Sequence, residues 1–187
     1  MTLELNAEGS WEKYALPDEK LWERFEFRSI GPEEGEQAAQ IEQICFPPNE
    51  ACTKERMLKR VENAAGQFLV AVDRQTGKLA GFLNGLATDE GTLRDEFFTD
   101  ITLHDPAGEN VMILGLDVLP SYRGQGIARE LMYEYFRREK AHGRRKIILT
   151  CLSQKVAMYR KMGFEDRGIS ESAWGGEQWH EMVFNID

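Results

Sequence analysis

The chain has 187 residues, 42% of them hydrophobic, which is the length of one domain with enough apolar side chains to bury a core. A formal net charge of −9 argues against nucleic acid as the main partner. No apolar run reaches the ~18–20 residues that a membrane span needs. The start, Met1-Thr2-Leu3-Glu4-Leu5-Asn6, has no basic region followed by an apolar stretch, so a cytoplasmic protein without a membrane partner is expected.

Residues 1–21 are polar and aperiodic and are expected to form an N-terminal extension, followed by one domain over 22–187. Alternation from Trp22 through Phe25, Phe27 and Ile30 predicts a first strand. Gly31-Pro32-Glu33-Glu34 then opens a helix through Ala38, Ile41 and Ile44, which Phe46-Pro47-Pro48-Asn49 breaks. Thr53 starts a second helix through Met57, Leu58 and Val61. Residues 67–73 and 78–87 read as a hairpin around Arg74-Gln75-Thr76-Gly77. An irregular stretch over 88–110 holds a short helical segment near Leu93–Phe98. Val111–Leu119 reads as a strand and Gly126–Ala141 as a helix with Ile127, Leu131 and Tyr135 on its apolar face. Lys146–Cys151 is a strand, Gln154–Met162 a helix, and segments from Phe164 and Gln178 close the domain as strands. The predicted fold is α/β: a mixed, mostly antiparallel sheet with a central parallel βαβ unit and helices on both faces.

Charge is unevenly spread. Residues 1–50 carry 12 acidic and 4 basic side chains, while residues 123–146 carry 8 basic and 3 acidic ones. Two solvated faces of opposite sign would explain this, and so would a basic segment that meets a polyanion. The three cysteines, Cys45, Cys52 and Cys151, and the three histidines, His104, His142 and His180, show no ligand spacing, so no metal is expected. Reduced thiols are expected, with Cys151 packing at the end of its strand.

Arg123-Gly124-Gln125-Gly126-Ile127-Ala128 joins a strand to a helix. Small residues there let a ligand approach the backbone, and the first amides of the helix lack intrahelical partners, so phosphate oxygens suit the position. Arg123 can add a charge-assisted bond. The loop is not a Walker loop, because no Lys-Ser/Thr follows the last glycine, and it lacks the third glycine of a dinucleotide fingerprint.

Arg123-x-x-Gly126-x-Ala128, preceded by Leu116-x-Val118-x-Pro120, resembles the acetyl-CoA motif of the GNAT superfamily of acetyltransferases. A second block, Met158-Tyr159-Arg160-Lys161-Met162-Gly163-Phe164, resembles the same family's Tyr-x-x-x-Gly-Phe segment. Gly81-Phe82-Leu83-Asn84-Gly85 and Leu103-His104-Asp105-Pro106-x-Gly108 are similar to segments of the arylalkylamine N-acetyltransferase branch. The resemblance implies direct transfer of an acetyl group from acetyl-CoA, as co-substrate, to a primary amine such as an arylalkylamine or polyamine. It implies cofactor contacts from Leu116, Asp117 and Val118 and from Arg123, Gly124, Gln125, Gly126, Ile127 and Ala128, with Tyr159 protonating the departing thiolate. Asp117, unusual in an apolar strand, either faces outward, caps a turn or lies near the cofactor. The acceptor would meet Phe46, Pro47 and Glu50, and Trp174 and Trp179. A homodimer paired through edge strands is also implied.

The branch's paired histidines fall on Met112 and Leu114, neither of which accepts a proton. His104, Glu50, Glu109 and Glu181 remain as bases by chemistry alone. A protein N-terminal acetyltransferase and a weakly catalytic acyl-CoA sensor stay open beside the small-molecule enzyme.

Overall fold

The computed structural model describes residues 11–186. In chain order it contains α1 (Glu12–Ala15), α2 (Glu19–Arg24), β1 (Phe25–Ser29), α3 (Gly35–Cys45), α4 (Lys54–Asn63), β2 (Phe68–Asp73), β3 (Leu79–Thr88), β4 (Asn110–Val118), α5 (Ile127–Ala141), β5 (Lys146–Cys151), α6 (Val156–Met162), β6 (Glu165–Ile169) and β7 (His180–Asn185). Short 3-10 turns include Ala65–Gln67, Asp95–Phe98 and Trp174–Gly176. The seven strands form one sheet in the order β1-β2-β3-β4-β5-β7-β6. Only β4 and β5 pair in parallel, with α5 as their crossover; the other neighbours are antiparallel. This is the mixed sheet that the order of sequence signals predicts. Among the described residues no helix is long and apolar enough to cross a membrane.

One face of the sheet carries α5. Its Ile127, Leu131, Tyr135 and Phe136 are buried against Leu69, Leu83, Val111 and Ile147, as the helical spacing predicts. Phe136 stacks on Phe184 with ring centroids 3.8 Å apart. The other face carries α3 and α4, whose Ala38, Ile41, Met57 and Val61 pack on Val70, Val72 and Phe82. Thr53 caps α4 by accepting a bond from the Arg56 amide. Ile44, predicted to lie on the apolar side of α3, is instead 59% exposed.

Three expectations in the first part of the chain need correction. The predicted strand from Trp22 begins only at Phe25, because Asp18 accepts a bond from the Leu21 amide and holds residues 19–24 as a helix. The stretch set apart as an extension packs into the domain from Trp11 onward; residues 1–10 lie outside the described residues. Tyr14, 4% exposed, sits edge-on to Tyr133, Phe136 and Phe184, and its hydroxyl donates to the Met162 carbonyl at 2.8 Å. A side chain on Gly163, which has φ of +110°, would run into that hydroxyl. Glycine there lets α6 end tightly against α1. The predicted opening of α3 at Pro32 is also late in the structure: Gly31–Glu34 forms a turn, closed by the Glu34 carboxylate on the Gly31 amide and Arg28, and the helix starts at Gly35.

Sheet register creates the gap that matters. β4 and β5 pair only at Asn110–Lys146, Val111–Ile147 and Met112–Ile148, then part. On its other side β4 stays paired to β3 as far as Val118, with Leu114 bulged out between Asn84 and Gly85. A bulge bends its strand and sharpens the local twist, which turns β4 away from β5. Their facing edges beyond Met112 and Ile148 therefore have no strand partner.

Candidate active site

A cavity of about 510 Å³ opens where β4 and β5 part. The size is ordinary for a small-molecule site. At one end stands the loop that the sequence singled out. Gly124 and Gly126 have φ of +82° and +93°, a region that L side chains disfavour. Gly124 faces open space where a β-carbon would stand. Gly126 caps α5 with no side-chain bond, so the first turn of α5 has no side chain on its amides. Of the nine predicted cofactor residues, Leu116, Val118, Arg123, Gly124, Gly126, Ile127 and Ala128 line the cavity.

The other two do not. Gln125 turns back, its side-chain amide donating to the Tyr122 carbonyl at 3.2 Å. Asp117 neither faces outward nor caps a turn. It pairs with Phe82 in the sheet, and its side chain, 1% exposed, is buried on the face covered by α3 and α4. Arg123 also differs from expectation: its guanidinium donates to the Val118 carbonyl at 2.9 Å and lies 3.7 Å from Cys45 Sγ, bracing the loop against β4.

Part of the basic stretch around α5 is paired within itself. Arg137 pairs with Glu130 and Glu134, Arg138 with Glu134, and Arg144 with Glu139, at 2.5–3.2 Å. These pairs use the three glutamates of the stretch, while Arg129 lies beside Asp18 and Lys140 over the Trp11 ring.

Tyr159 lines the cavity from α6, which starts just after β5. Its ring is edge-on to Phe164 at 5.7 Å, and its hydroxyl makes no hydrogen bond among the described residues. Burial raises its pKa, and the acidic groups of Cys151 and Asp117 nearby add to the shift. The phenol therefore holds its proton until a strong base forms beside it. Cys151 is a buried neighbour in the same wall, and burial pushes its thiol up to about 11, so it is a packing residue and a poor nucleophile at neutral pH.

At the other end, all five predicted acceptor-side residues, Phe46, Pro47, Glu50, Trp174 and Trp179, line the cavity. Two loops meet there. Asn49 donates to the Gly175 carbonyl at 2.9 Å, Trp174 Nε1 to the Glu50 carbonyl at 3.0 Å, and Trp179 Nε1 to the Trp174 carbonyl at 2.9 Å. Phe98 stacks on Trp174 at 4.7 Å and joins the wall. Burial raises the Glu50 carboxyl, with Glu177 nearby adding to the effect.

The proposed bases separate clearly. His104 Nδ1 accepts from the Ala87 amide at 3.0 Å, and Glu109 pairs with Arg145 at the surface. Glu181 accepts from the Leu93 amide. Of the four, only Glu50 borders the cavity. The lining residues that the sequence did not single out for the site include Glu42, Arg60 and Gly115. Glu42 sits at a helical spacing that resembles a solvated face, yet it is 3% exposed. No group of three or more possible metal ligands occurs among the described residues.

The sequence matches the profile of the Acetyltransferase (GNAT) family over residues 35–164. It is 32% identical over 101 residues to mycothiol acetyltransferase of Thermobifida fusca (strain YX), a match that covers 52% of this chain. The chain spans only 28% of that protein's length. The fold is similar to the loading GNATL domain of CurA from Lyngbya majuscula, with a TM-score of 0.74 at 13% identity, covering 87% of this chain and 98% of that one. It is also similar to the GNAT family N-acetyltransferase YhbS of Escherichia coli, solved in complex with CoA, with a TM-score of 0.59 at 20% identity, covering 88% of this chain and 82% of the other.

Proposed function

The chain belongs to the acetyltransferase (GNAT) family, and from this premise we propose that it moves an acetyl group from acetyl-CoA to a small primary amine by direct attack in a ternary complex. The observation that carries this is the single cavity at the β4–β5 parting, which joins the glycine loop, Tyr159 and an aromatic, acid-bearing mouth. Open space over Gly124, the uncapped start of α5 and the unpaired strand edges fit a pyrophosphate followed by an amide-containing arm. Gly124, Gly126, Ile127 and Ala128 would hold the pyrophosphate, and Leu116 and Val118 would flank the arm. Asp117 and Gln125 belong to these segments through their main chains. Arg123 would keep the loop in place by its bond to Val118.

The bound thioester supplies an activated acetyl carbonyl. Tyr159 then supplies the proton that the departing thiolate takes. A phenol whose burial keeps it protonated releases that proton only as the sulfur gains charge. On the acceptor side, Phe46, Pro47, Trp174 and Trp179 offer apolar surface, and Glu50 offers a carboxylate to a cation. An arylalkylamine or a polyamine suits that combination, in line with the resemblance of the sequence to the arylalkylamine branch. A mycothiol acetyltransferase relative supports acetyl transfer to a small molecule. The reading applies to a cytoplasmic protein, with one catalytic domain that includes the segment from Trp11 and with the edge strands β1 and β6 available to a homodimer.

Acetyl-CoA should raise the melting temperature of the purified chain by mass action, by about 2–3 kcal/mol of stability at a hundredfold excess over its Kd. No shift at millimolar acetyl-CoA would remove the donor assignment. A consumption screen over aromatic amines, polyamines and peptide N-termini would then identify the acceptor.

A further inference from the structure

Behind the cavity wall lies a polar cluster in which several groups have no partner. Asp117 from β4 is 1% exposed, and no donor other than a proton shared with Glu42 reaches its carboxyl oxygens. Asn84, opposite Gly115 on β3, is fully buried, and its Oδ1 is unpaired while its amide nitrogen donates to Met57 Sδ at 3.6 Å. Glu42 reaches in from α3 and borders the cavity. Arg60 from α4 donates to the Phe98 carbonyl, but its Nη1 is buried without a partner.

These groups converge on one spot. Seen from the position where a β-carbon on Gly115 would stand, Asp117 Oδ1 is 3.0 Å away, Asn84 Oδ1 3.6 Å and Glu42 Oε1 3.7 Å. Gly115 itself lines the cavity. Leaving buried acceptors unpaired is costly, of the order of 1–3 kcal/mol each. Oxygens of Asp117, Asn84 and Glu42 thus cluster beside the side-chain-free Cα of Gly115, where a compact group with several donors reaching in from the cavity would meet them. A primary ammonium has three N–H donors and a small enough radius.

We propose that Glu42, Asp117 and Asn84 form the receptor for the ammonium of the acceptor amine, and that the Glu42–Asp117 pair then takes its proton. At rest the pair shares one proton. Burial drives the Asp117 carboxyl well above its ordinary range, and the charge of Glu42 adds to this. Burial raises Glu42 as well, while Arg60 opposes that shift. With one shared proton, Glu42, Asp117 and Arg60 carry no net charge, the state that a desolvated site favours. The other titratable groups facing the pair are the Cys45 and Cys52 thiols, both raised chiefly by burial, and Tyr159 across the parting, whose pKa Asp117 also raises.

Proton accounting follows from neutrality. The arriving ammonium displaces the shared proton to solvent, and the two carboxylates, Arg60 and the ammonium again sum to zero. One N–H proton then moves from the ammonium to the pair, which leaves a neutral amine and restores the shared-proton state. On the acetyl-transfer reading above, on which this last use rests, the amine nitrogen bonds to the acetyl carbon and the C–S bond breaks. The thiolate takes a proton from Tyr159, and the nitrogen's surplus proton returns to that phenol. Each turnover then releases one proton in total.

Titration calorimetry tests the site without requiring turnover. The full-length protein, saturated with CoA near neutral pH, is titrated with 2-phenylethylamine in phosphate and in Tris, whose ionisation enthalpies differ. The wild type should release about one proton per amine bound. Asp117→Asn and Glu42→Gln should abolish the release and weaken binding about tenfold or more, with the CoA-induced melting shift intact. Gly115→Ala keeps every carboxyl but sets a methyl 3.0 Å from Asp117 Oδ1, and should weaken the amine to a similar degree. Absence of amine binding to the wild type, binding without proton release, or unaltered binding by all three variants would each overturn the proposal. In steady state the carboxyl variants should lose about a hundredfold in kcat/KM, the scale of a lost general base. If wild-type protein binds the amine with proton release yet transfers no acetyl group, the transfer reading fails while the ammonium site stands.

Discussion

The two ends of the cavity are built differently. The end proposed for the donor is made of backbone: one loop, two glycines at positive φ and the start of α5, within residues 123–128. The acceptor end is made of side chains from α3, α4, the bulged β4 and the loop at 170–179, held by cross-chain bonds such as Asn49 to Gly175. A main-chain cradle needs a particular residue order and leaves a contiguous motif. A side-chain pocket needs only convergence, and its members can sit anywhere in the chain. The contrast explains why one fold can keep its acetyl donor fixed while its acceptor varies.

The largest expected effect lies where the two ends meet. Tyr159→Phe should lower turnover about 10²–10⁴-fold while acetyl-CoA affinity stays close to wild type. Single-turnover kinetics alongside equilibrium binding check this, and equal turnover would remove the acid role. Gly124→Val should act on the donor end alone. A β-branched residue at φ +82° is strained by about 1–3 kcal/mol, so the loop should abandon its cradle and acetyl-CoA should bind about tenfold more weakly. An unchanged Kd would show that this backbone does not hold the donor.

Tyr14→Phe probes how far the donor end depends on the segment before residue 22. It leaves the Met162 carbonyl at the end of α6 without its partner, at a cost of about 1 kcal/mol, or roughly 2–4 °C in melting temperature. A variant with an unchanged melting point would sever that segment from the domain's stability.

The smallest effect is a pH slope at the acceptor end. The Asp117 carboxyl is raised by burial and then by Glu42, so the native state holds a proton that the unfolded chain has released. Its contribution is complete below the ordinary carboxylate pKa of about 3.9 and is lost as pH rises through the folded value. Asp117→Asn lacks this loss. Relative to wild type it should therefore gain about 2 °C more at pH ~8 than at pH ~4, as thermal melts at the two pH values would measure. A constant difference would mean that the carboxyl ionises alike in both states.

The sequence alone determined the element order from β1 onward, the parallel crossover over 111–151 and the glycine loop at 123–128. These depend on local periodicity, on glycine at positive φ and on the chirality of a βαβ unit, all of which act over short stretches of chain. Tyr159 was legible for a similar reason, since it stands four residues before the Gly163 that its helix needs as a stop. Only tertiary structure decided the rest. Trp22 lies in a helix because Asp18 caps it, and Tyr14 is core because Gly163 and Phe184 leave it a slot. Arg137 and Arg138 of α5 are engaged by Glu130 and Glu134, pairings that the charge count along the sequence does not reveal. Glu42, Asn84 and Asp117 are ordinary polar residues at 42, 84 and 117 until sheet register and the packing of α3 bring their oxygens to Gly115. Burial depends on what lands opposite, and contacts between residues so far apart in sequence leave no local pattern to read.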